Sequence, residues 1–248
     1  MQLTNKKNIP DIIYKFLQQD FYDNKNPVKE SVSVTALLKP IKETILSRRY
    51  GHKIEIDVAD RVWSVIGSGV HSIFENMLKK EPHVQSEQRL SINLVNGMLL
   101  SGKYDFIINN IIHDFKVTSA YSVIKGDKVN EWGNQLSMYR WLYFKSTGTL
   151  LNDTGAIILF IRDWKMSDAN KNSNYPQTSM TSIDIKLSPI EDIEKFIYER
   201  TNLILKYEQL QDSELPPCSN EEKWYNERTK HCGKCDNYCG VRNVCDKK

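Results

Sequence analysis

Two aspartates and a lysine carry the first chemical signal in this chain. In the stretch Leu100–Ser119, LSGKYDFIINNIIHDFKVTS, Asp105 precedes one isoleucine-containing run, Asp114 follows the next, and Lys116 stands two residues further on. Asn109-Asn110 separates the runs. Asparagine tolerates positive φ, which a two-residue type I′ turn requires at both central positions. With those two residues as the loop, 108 pairs with 111, 107 with 112, 106 with 113 and 105 with 114. Asp105 and Asp114 are then directly opposed, and Lys116 shares the face of Asp114. Opposed residues have Cβ atoms roughly 4.5–5.5 Å apart, where like charges repel. Phe106, Ile107, Ile108, Ile111, Ile112 and Phe115 make both faces apolar, so the hairpin reads as buried. Acids in such a place need a compensating charge, and a divalent cation supplies one along with Lewis-acid chemistry.

A second signal lies at the other end. All five cysteines fall at 218, 232, 235, 239 and 245, with none in the first 217 residues. Gaps of thirteen, two, three and five residues separate them, with Gly233 and Gly240 between. The N-terminus MQLTNKKNIP has no apolar signal core, so the expectation is an intracellular, cytoplasmic protein whose cysteines hold metal rather than disulfides. From Lys223 onward seven Lys/Arg face three acids, net +4 against +3 for the whole chain, so a basic appendage follows a slightly acidic body.

These groups must be positioned by regular elements. Residues 9–22 read as a short helix, and Ser33 to about Arg49 as another with Pro40 as a kink. Residues 57–80 read as a helix whose Val58, Val62, Ile66, Ile73 and Met77 follow helical spacing, with His71 inside it. Gly67 and Gly69 are costly in a helix interior, so something is expected to approach that backbone closely. Residues 85–95 and 98–108 read as strands joined at Asn96-Gly97, giving a three-strand meander with the next. Residues 130–145 read as a helix with Gln135 and Tyr139 on one face, 154–161 as a buried strand, 167–178 as a polar loop and 180–187 as a strand. Ser188-Pro-Ile-Glu starts a helix reaching about Leu210, with Ile193, Ile197, Ile204 and Tyr207 inward and Glu208 outward. Glu87 could be a further acid of the site but is read as a surface strand residue; Glu75, one turn after His71, is equally ambiguous, and Asp163 receives no role.

The chain's 248 residues suffice for one large domain, or for one plus an appendage. With 40% hydrophobic and 10% aromatic residues a packed core forms, and no run reaches membrane-spanning length. The expected division is 1–215, with a helical part over 1–56, followed by a Cys-rich metal-binding tail at 216–248.

Four segments in this order resemble RecB-type PD-(D/E)XK nucleases: Gly67-Ser-Gly-Val-His71, Gly102-Lys-Tyr-Asp105, Asp114-Phe-Lys116 and Gln135-Leu-Ser-Met-Tyr139. Ser33–Leu38, SVTALL, and the tail pattern Cys235-x-x-Tyr-Cys239-x5-Cys245 also resemble bacteriophage proteins of this class. The resemblance implies an α/β, restriction-endonuclease-like core with a mixed sheet flanked by helices. It also implies a metal-dependent deoxyribonuclease, an exonuclease or processing enzyme of phage or bacterial replication or recombination, with DNA as partner and a helicase or recombination protein alongside. On it, His71, Asp105, Asp114 and the Phe115 carbonyl ligate Mg²⁺ or Mn²⁺, Lys116 orients the attacking water, and Gln135 and Tyr139 position the lysine or the substrate strand. In the tail it favours Cys218, Cys235, Cys239 and Cys245, whereas Cys-x-x-Cys spacing brings in Cys232. A [4Fe–4S] cluster and zinc both fit, and either presents Lys230, Lys234 and Arg242 to a phosphate backbone. The alternative is a non-catalytic DNA-binding or adaptor module of the same fold.

Overall fold

The computed structural model describes residues 2–18 and 30–245. The chain forms two compact units: among the described residues one takes 30–34 and 64–196, the other 2–18, 35–63 and 197–245. The strands are β1 (Gln2–Thr4), β2 (Ser31–Ser33), β3 (Glu55–Asp57), β4 (Gln85–Asn93), β5 (Leu99–Ile108), β6 (Ile111–Thr118), β7 (Thr154–Ile161), β8 (Met180–Lys186), β9 (Tyr225–Asn226) and β10 (His231–Cys232). The helices are α1 (Asp11–Gln18), α2 (Val34–Leu37), α3 (Ile41–Tyr50), α4 (Val62–Leu78), α5 (Ala120–Lys125), α6 (Val129–Thr147), α7 (Met166–Ala169), α8 (Ile190–Glu208), α9 (Asn220–Lys223) and α10 (Gly233–Asn237).

The first unit is built on a six-stranded sheet in the order β2-β5-β6-β7-β8, with β4 along β5. Pairs β2–β5 and β6–β7 are parallel, while β4–β5, β5–β6 and β7–β8 are antiparallel. Helix α6 lies against β4 through β8. Helix α4 contributes Phe74 and Leu78 to a cluster with Phe106 and Phe115, the Phe74 and Phe115 rings stacking at 4.2 Å. The fold is thus mixed α/β, a central mixed sheet flanked by helices.

The central hairpin forms as the sequence indicates. Asn109 and Asn110 have φ of 51° and 62°, and the ladder pairs Ile108 with Ile111, Ile107 with Ile112 and Phe106 with His113. The preceding connection differs. Leu94 N–H bonds to Met98 O at 2.8 Å and Gly97 has φ +84°, so three residues, Val95-Asn96-Gly97, turn the chain instead of two. A three-residue loop with its last residue left-handed is the next commonest hairpin. It shifts β4 by one residue against β5, so Ser86 pairs with Phe106 and Gln88 with Tyr104.

Two helical expectations also change. Residues 33–49 are not one kinked helix, because Pro40, which has no N–H to donate, separates α2 from α3 and serves as N-cap of the latter. In residues 57–80 the apolar stripe read from sequence divides: Ile66, Ile73 and Met77 are exposed, whereas Val58, in a preceding 3-10 turn, is buried, as are Val65 and Leu78. The expected 9–22 helix runs over Asp11–Gln18, and its last residues, 19–22, lie outside those described. The polar loop at 167–178 overlaps α7. In α8, Ile193, Ile197 and Ile204 are buried as expected, but Glu208 pairs with Arg48 rather than pointing free.

In the second unit β1 and β3 form a parallel pair. Arg49 bonds the carbonyls of Tyr207 and Glu208 at 2.9 and 3.2 Å and pairs with Asp212, whose other oxygen accepts from Tyr50 at 2.6 Å. These contacts fix the end of α8 against α3 and set where the cysteine-rich segment begins. Among the described residues, no helix is long and apolar enough to cross a membrane.

Candidate active site

Strand β6 and helix α6 assemble most of the expected constellation. Asp114 and Lys116, two apart on β6, stand together: Lys116 Nζ is 2.6 Å from Asp114 Oδ2. Gln135 bridges them, its Oε1 accepting from Lys116 Nζ at 3.1 Å and its Nε2 donating to Asp114 Oδ1 at 3.3 Å. One turn on, the Tyr139 hydroxyl accepts from the same Nε2 at 3.3 Å. The Tyr139 ring lies across Gly102 of β5, where a Cβ would meet Tyr139 Cε1 at 2.7 Å and Val34 Cγ2 at 2.9 Å. A glycine is therefore required for α6 to bring these side chains down to the strand.

Asp105 sits where the β5–β6 ladder stops. Its Oδ2 accepts the Phe115 N–H at 2.7 Å, a side-chain bond where the next backbone pair is expected, and lies 3.3 Å from His71 Nδ1 on α4. The Phe74–Phe115 stack holds α4 at this point of the sheet. Asp105 thus bonds to β6 and to His71 of α4, and Asp114 to Lys116 of β6 and to Gln135 of α6, while the charge of Asp105 still bears on Asp114.

The electrostatics tie both halves together. Burial pushes the Asp114 carboxyl up to about 6, with Lys116 opposing and Asp105 reinforcing the rise. Burial draws the His71 imidazole down, but the hydrogen bond and charge of Asp105, with Asp114 adding, hold it above its ordinary value. Among the described residues no group of three or more His, Cys, Asp or Glu side chains converges on a point that could hold a metal ion. The donor set nevertheless has the hard-oxygen and imidazole chemistry that Mg²⁺ or Mn²⁺ takes. A cavity of about 10 Å³, close to the volume of one water, is lined by His71, Asp105, Phe115, Glu75 and Glu87.

A family model of the PD-(D/E)XK nuclease superfamily matches residues 17–246. The chain belongs to that superfamily. Its mixed sheet with flanking helices is the restriction-endonuclease-like core of these nucleases, which generally use Mg²⁺ or Mn²⁺ and act on DNA. Among solved structures, the protein SSO0001 is similar over 96% of this chain and 97% of its own, at 16% identity and a TM-score of 0.60, a likeness of fold. A phage-related exonuclease from Haemophilus somnus 129PT is 14% identical over 69% of this chain and 71% of its own, with a TM-score of 0.35. Comparison with curated proteins gives no match.

Two carboxylates that the sequence leaves ambiguous, Glu87 and Glu75, stand beside His71 and Asp105 in this PD-(D/E)XK domain. The pairing of Ser86 with Phe106 and Gln88 with Tyr104 puts Glu87 opposite Asp105, so Glu87, Asp105 and Asp114 follow one another across β4, β5 and β6. Glu87 is no surface residue: its side chain is 15% exposed and pairs with Lys103. Burial and the nearby Glu75 raise its carboxyl, while Glu75 is lowered first by its hydrogen bond with Glu87 and then by Lys79. The signal that could have found Glu87 is the length of the Val95–Gly97 loop, since a two-residue turn puts Gln88 opposite Asp105 instead. Around Gly67 and Gly69 the expected close approach is absent: a Cβ at either would meet no described atom within 4 Å.

In the tail, Cys218, Cys232, Cys235, Cys239 and Cys245 all line one cavity of about 220 Å³, together with Lys42 of α3. None of the five is in a disulfide. Burial, then Glu222, then Cys245, Cys235 and Cys239 push the Cys218 thiol up to about 11. Burial and then Cys232 and Cys239 raise Cys235. The basic residues divide. Lys230 pairs with Glu227 at the surface, and Arg242 donates to the Asp236 carbonyl at 3.1 Å. Lys234 instead reaches the buried Glu43 at 2.9 Å, anchoring α10 to α3.

Proposed function

We propose that this chain is a divalent-metal-dependent deoxyribonuclease that hydrolyses phosphodiester bonds as an exonuclease or processing nuclease. In this reading residues 1–215 carry the chemistry and 216–248 form a metal-binding tail that helps hold DNA. The observation that carries it is the chain of contacts from Asp114 through Lys116 and Gln135 to Tyr139, beside Asp105 and His71.

His71, Asp105, Asp114 and the Phe115 carbonyl are the groups that would hold the cation. A bound divalent ion supplies an activated water and neutralises developing phosphate charge. Lys116 holds an ammonium beside the ionised Asp114, where it hydrogen-bonds the attacking water and offsets charge on the scissile phosphate. Gln135 keeps that ammonium from swinging into solvent, and Tyr139 fixes the amide orientation of Gln135. Lys230 and Arg242 are the tail cations that would meet the phosphate backbone.

What supports a metal–thiolate centre is that all five tail cysteines line one cavity, where thiolates brought together would repel one another unless they shared a cation. Cys218, Cys235, Cys239 and Cys245, with Cys232 beside them, suit an iron–sulfur centre or zinc alike. Resemblance to phage proteins supports a role in DNA replication or recombination.

The test is incubation with end-labelled single- and double-stranded DNA in Mn²⁺, in Mg²⁺ and in EDTA, for the parent and for Lys116→Met. Metal-dependent cleavage by the parent, reduced about 10²-fold or more in the variant, is expected. Cleavage undiminished by Lys116→Met refutes the assignment. Metal-independent DNA binding with no cleavage of either substrate replaces it with the adaptor reading.

A further inference from the structure

In the tail, a bulky residue occupies a backbone conformation that suits glycine. Helix α9 ends at Trp224, whose φ of 52° and ψ of 49° lie in the left-handed region. Glycine is the usual residue at such a helix end, and a side chain with a Cβ is disfavoured there. The turn is fixed by its own backbone: Trp224 N–H donates to Glu221 O at 3.0 Å, and Trp224 O accepts the Gly233 N–H at 3.3 Å. The strained residue does not bury its ring in the core. Trp224 is 46% exposed and lies against Tyr238, which is 71% exposed, with ring centroids 5.3 Å apart and planes at 52°. Among the described residues beyond 215 these are the two exposed large hydrophobics, whereas the aliphatic Val241 is buried.

The surroundings of the two rings are cationic. From Lys223 onward seven Lys/Arg stand against three acids. Glu227 pairs with Lys230 and Asp236 with His231, while Arg228 and Arg242 are exposed. Two aromatic rings among cations do not make the broad aliphatic surface that another protein would cover. They match a polyanion whose bases are unpaired, because phosphates meet the cations and base faces, hidden in a duplex, stack on the rings.

We propose that Trp224 and Tyr238 form a base-stacking surface in the tail that holds single-stranded DNA. The inference rests on the reading above, in which the tail helps hold DNA, and names the unpaired strand as what it grips. Both are binding residues, and neither is assigned a part in cleavage.

The full chain, with the metal it carries as purified and no added divalent cation, is titrated against labelled oligo(dT), an abasic deoxyribose-phosphate strand of the same length and a duplex. The parent is expected to bind oligo(dT) more tightly than the abasic strand. Glycine suits the left-handed backbone, so Trp224→Gly removes the ring and keeps the turn. It should weaken oligo(dT) binding about tenfold, with the abasic strand and the duplex held within about twofold of the parent. Tyr238→Ala should act in the same way, and Trp224→Phe, which keeps a ring, should restore most of the oligo(dT) affinity. Oligo(dT) binding unchanged in Trp224→Gly and Tyr238→Ala overturns this inference alone. A loss of equal size on all three ligands also overturns it, by making the rings supports of the tail fold. Tighter binding of oligo(U) than of oligo(dT) overturns the choice of DNA. A parent that binds none of these ligands overturns the DNA-holding reading of the tail as well.

Discussion

Replacing Asp114 by asparagine separates the cost of the site from its use. The Asp114 side chain is buried, and burial moves its carboxyl from an ordinary 3.8 to about 6. That interval corresponds to ~3 kcal/mol of free energy. The sign follows from which state holds the proton more tightly. With a raised value in the folded protein, the native state binds the proton better than the unfolded chain does. The favourable contribution is complete below about pH 4, fades as pH rises toward 6, and is gone at neutrality. The metal-free protein should therefore lose ~3 kcal/mol from this group between pH 4 and pH 7. Asparagine has nearly the same shape and no charge, and its side-chain oxygen can still accept from Gln135 Nε2. Lys116 loses an ionic neighbour, but it is partly exposed and keeps Gln135 at 3.1 Å, so that loss is small.

Urea unfolding in EDTA at a series of pH values is the assay. The two proteins should be about equally stable at pH 4, and Asp114→Asn should be more stable by ~3 kcal/mol at pH 7–8. Mn²⁺ in excess should stabilise the parent by mass action and the variant much less, so the gap narrows or reverses. An asparagine variant no more stable than the parent at pH 8, or a difference that does not change with pH, refutes the placement at this position of a carboxylate whose burial outweighs its pairing with Lys116.

Two further substitutions probe how the site is built. Gly102→Ala forces a methyl against Tyr139 and Val34. It should cost roughly 1–3 kcal/mol by overpacking and, by shifting Tyr139 and Gln135, reduce cleavage. Full cleavage by a destabilised Gly102→Ala would show that the Tyr139 contact does not position Lys116. Gly67→Ala, one turn before His71, meets no described atom, so it should raise stability by about 0.5–1 kcal/mol through helix propensity. It should nevertheless slow cleavage if the DNA backbone is what approaches that face, and a stabilised variant with unchanged rate removes that role for Gly67.

The hairpin that carries Asp114 was legible because its determinants are local. Asn-Asn selects the turn, and apolar runs on both sides select a central position, so three backbone pairs fall where the sequence puts them. The helix with Gln135 and Tyr139 was legible for the same reason. Register between β4 and β5 was not, because Asn-Gly is compatible with both a two- and a three-residue connection and only packing decides. The face of α4 was misread for a related reason. Its apolar residues outnumber those it buries, and periodicity cannot say which stripe meets the sheet. The contact of Glu43 with the tail depends on a neighbour some 190 residues away in sequence, and no local pattern reports such contacts.

The places where local rules fail are concentrated around Asp105 and Asp114, and that concentration is itself an argument about function. A strand glycine gives up packing so that an aromatic ring can lie on the backbone. Helix glycines near His71 give up propensity while no described atom lies within 4 Å of where their Cβ would be. Carboxylates follow one another across three adjacent strands, one of them fully buried, where an apolar row would be more stable. Each feature costs stability on its own, and the contacts made to the carboxylates come from within the site itself, from Lys116, Gln135, His71 and Lys103. A sequence under selection for stability alone would discard all of them singly. Their coincidence around one lysine, whose ammonium lies between Asp114 and Gln135, is what the proposed site, acting on an anion through a shared cation, would require.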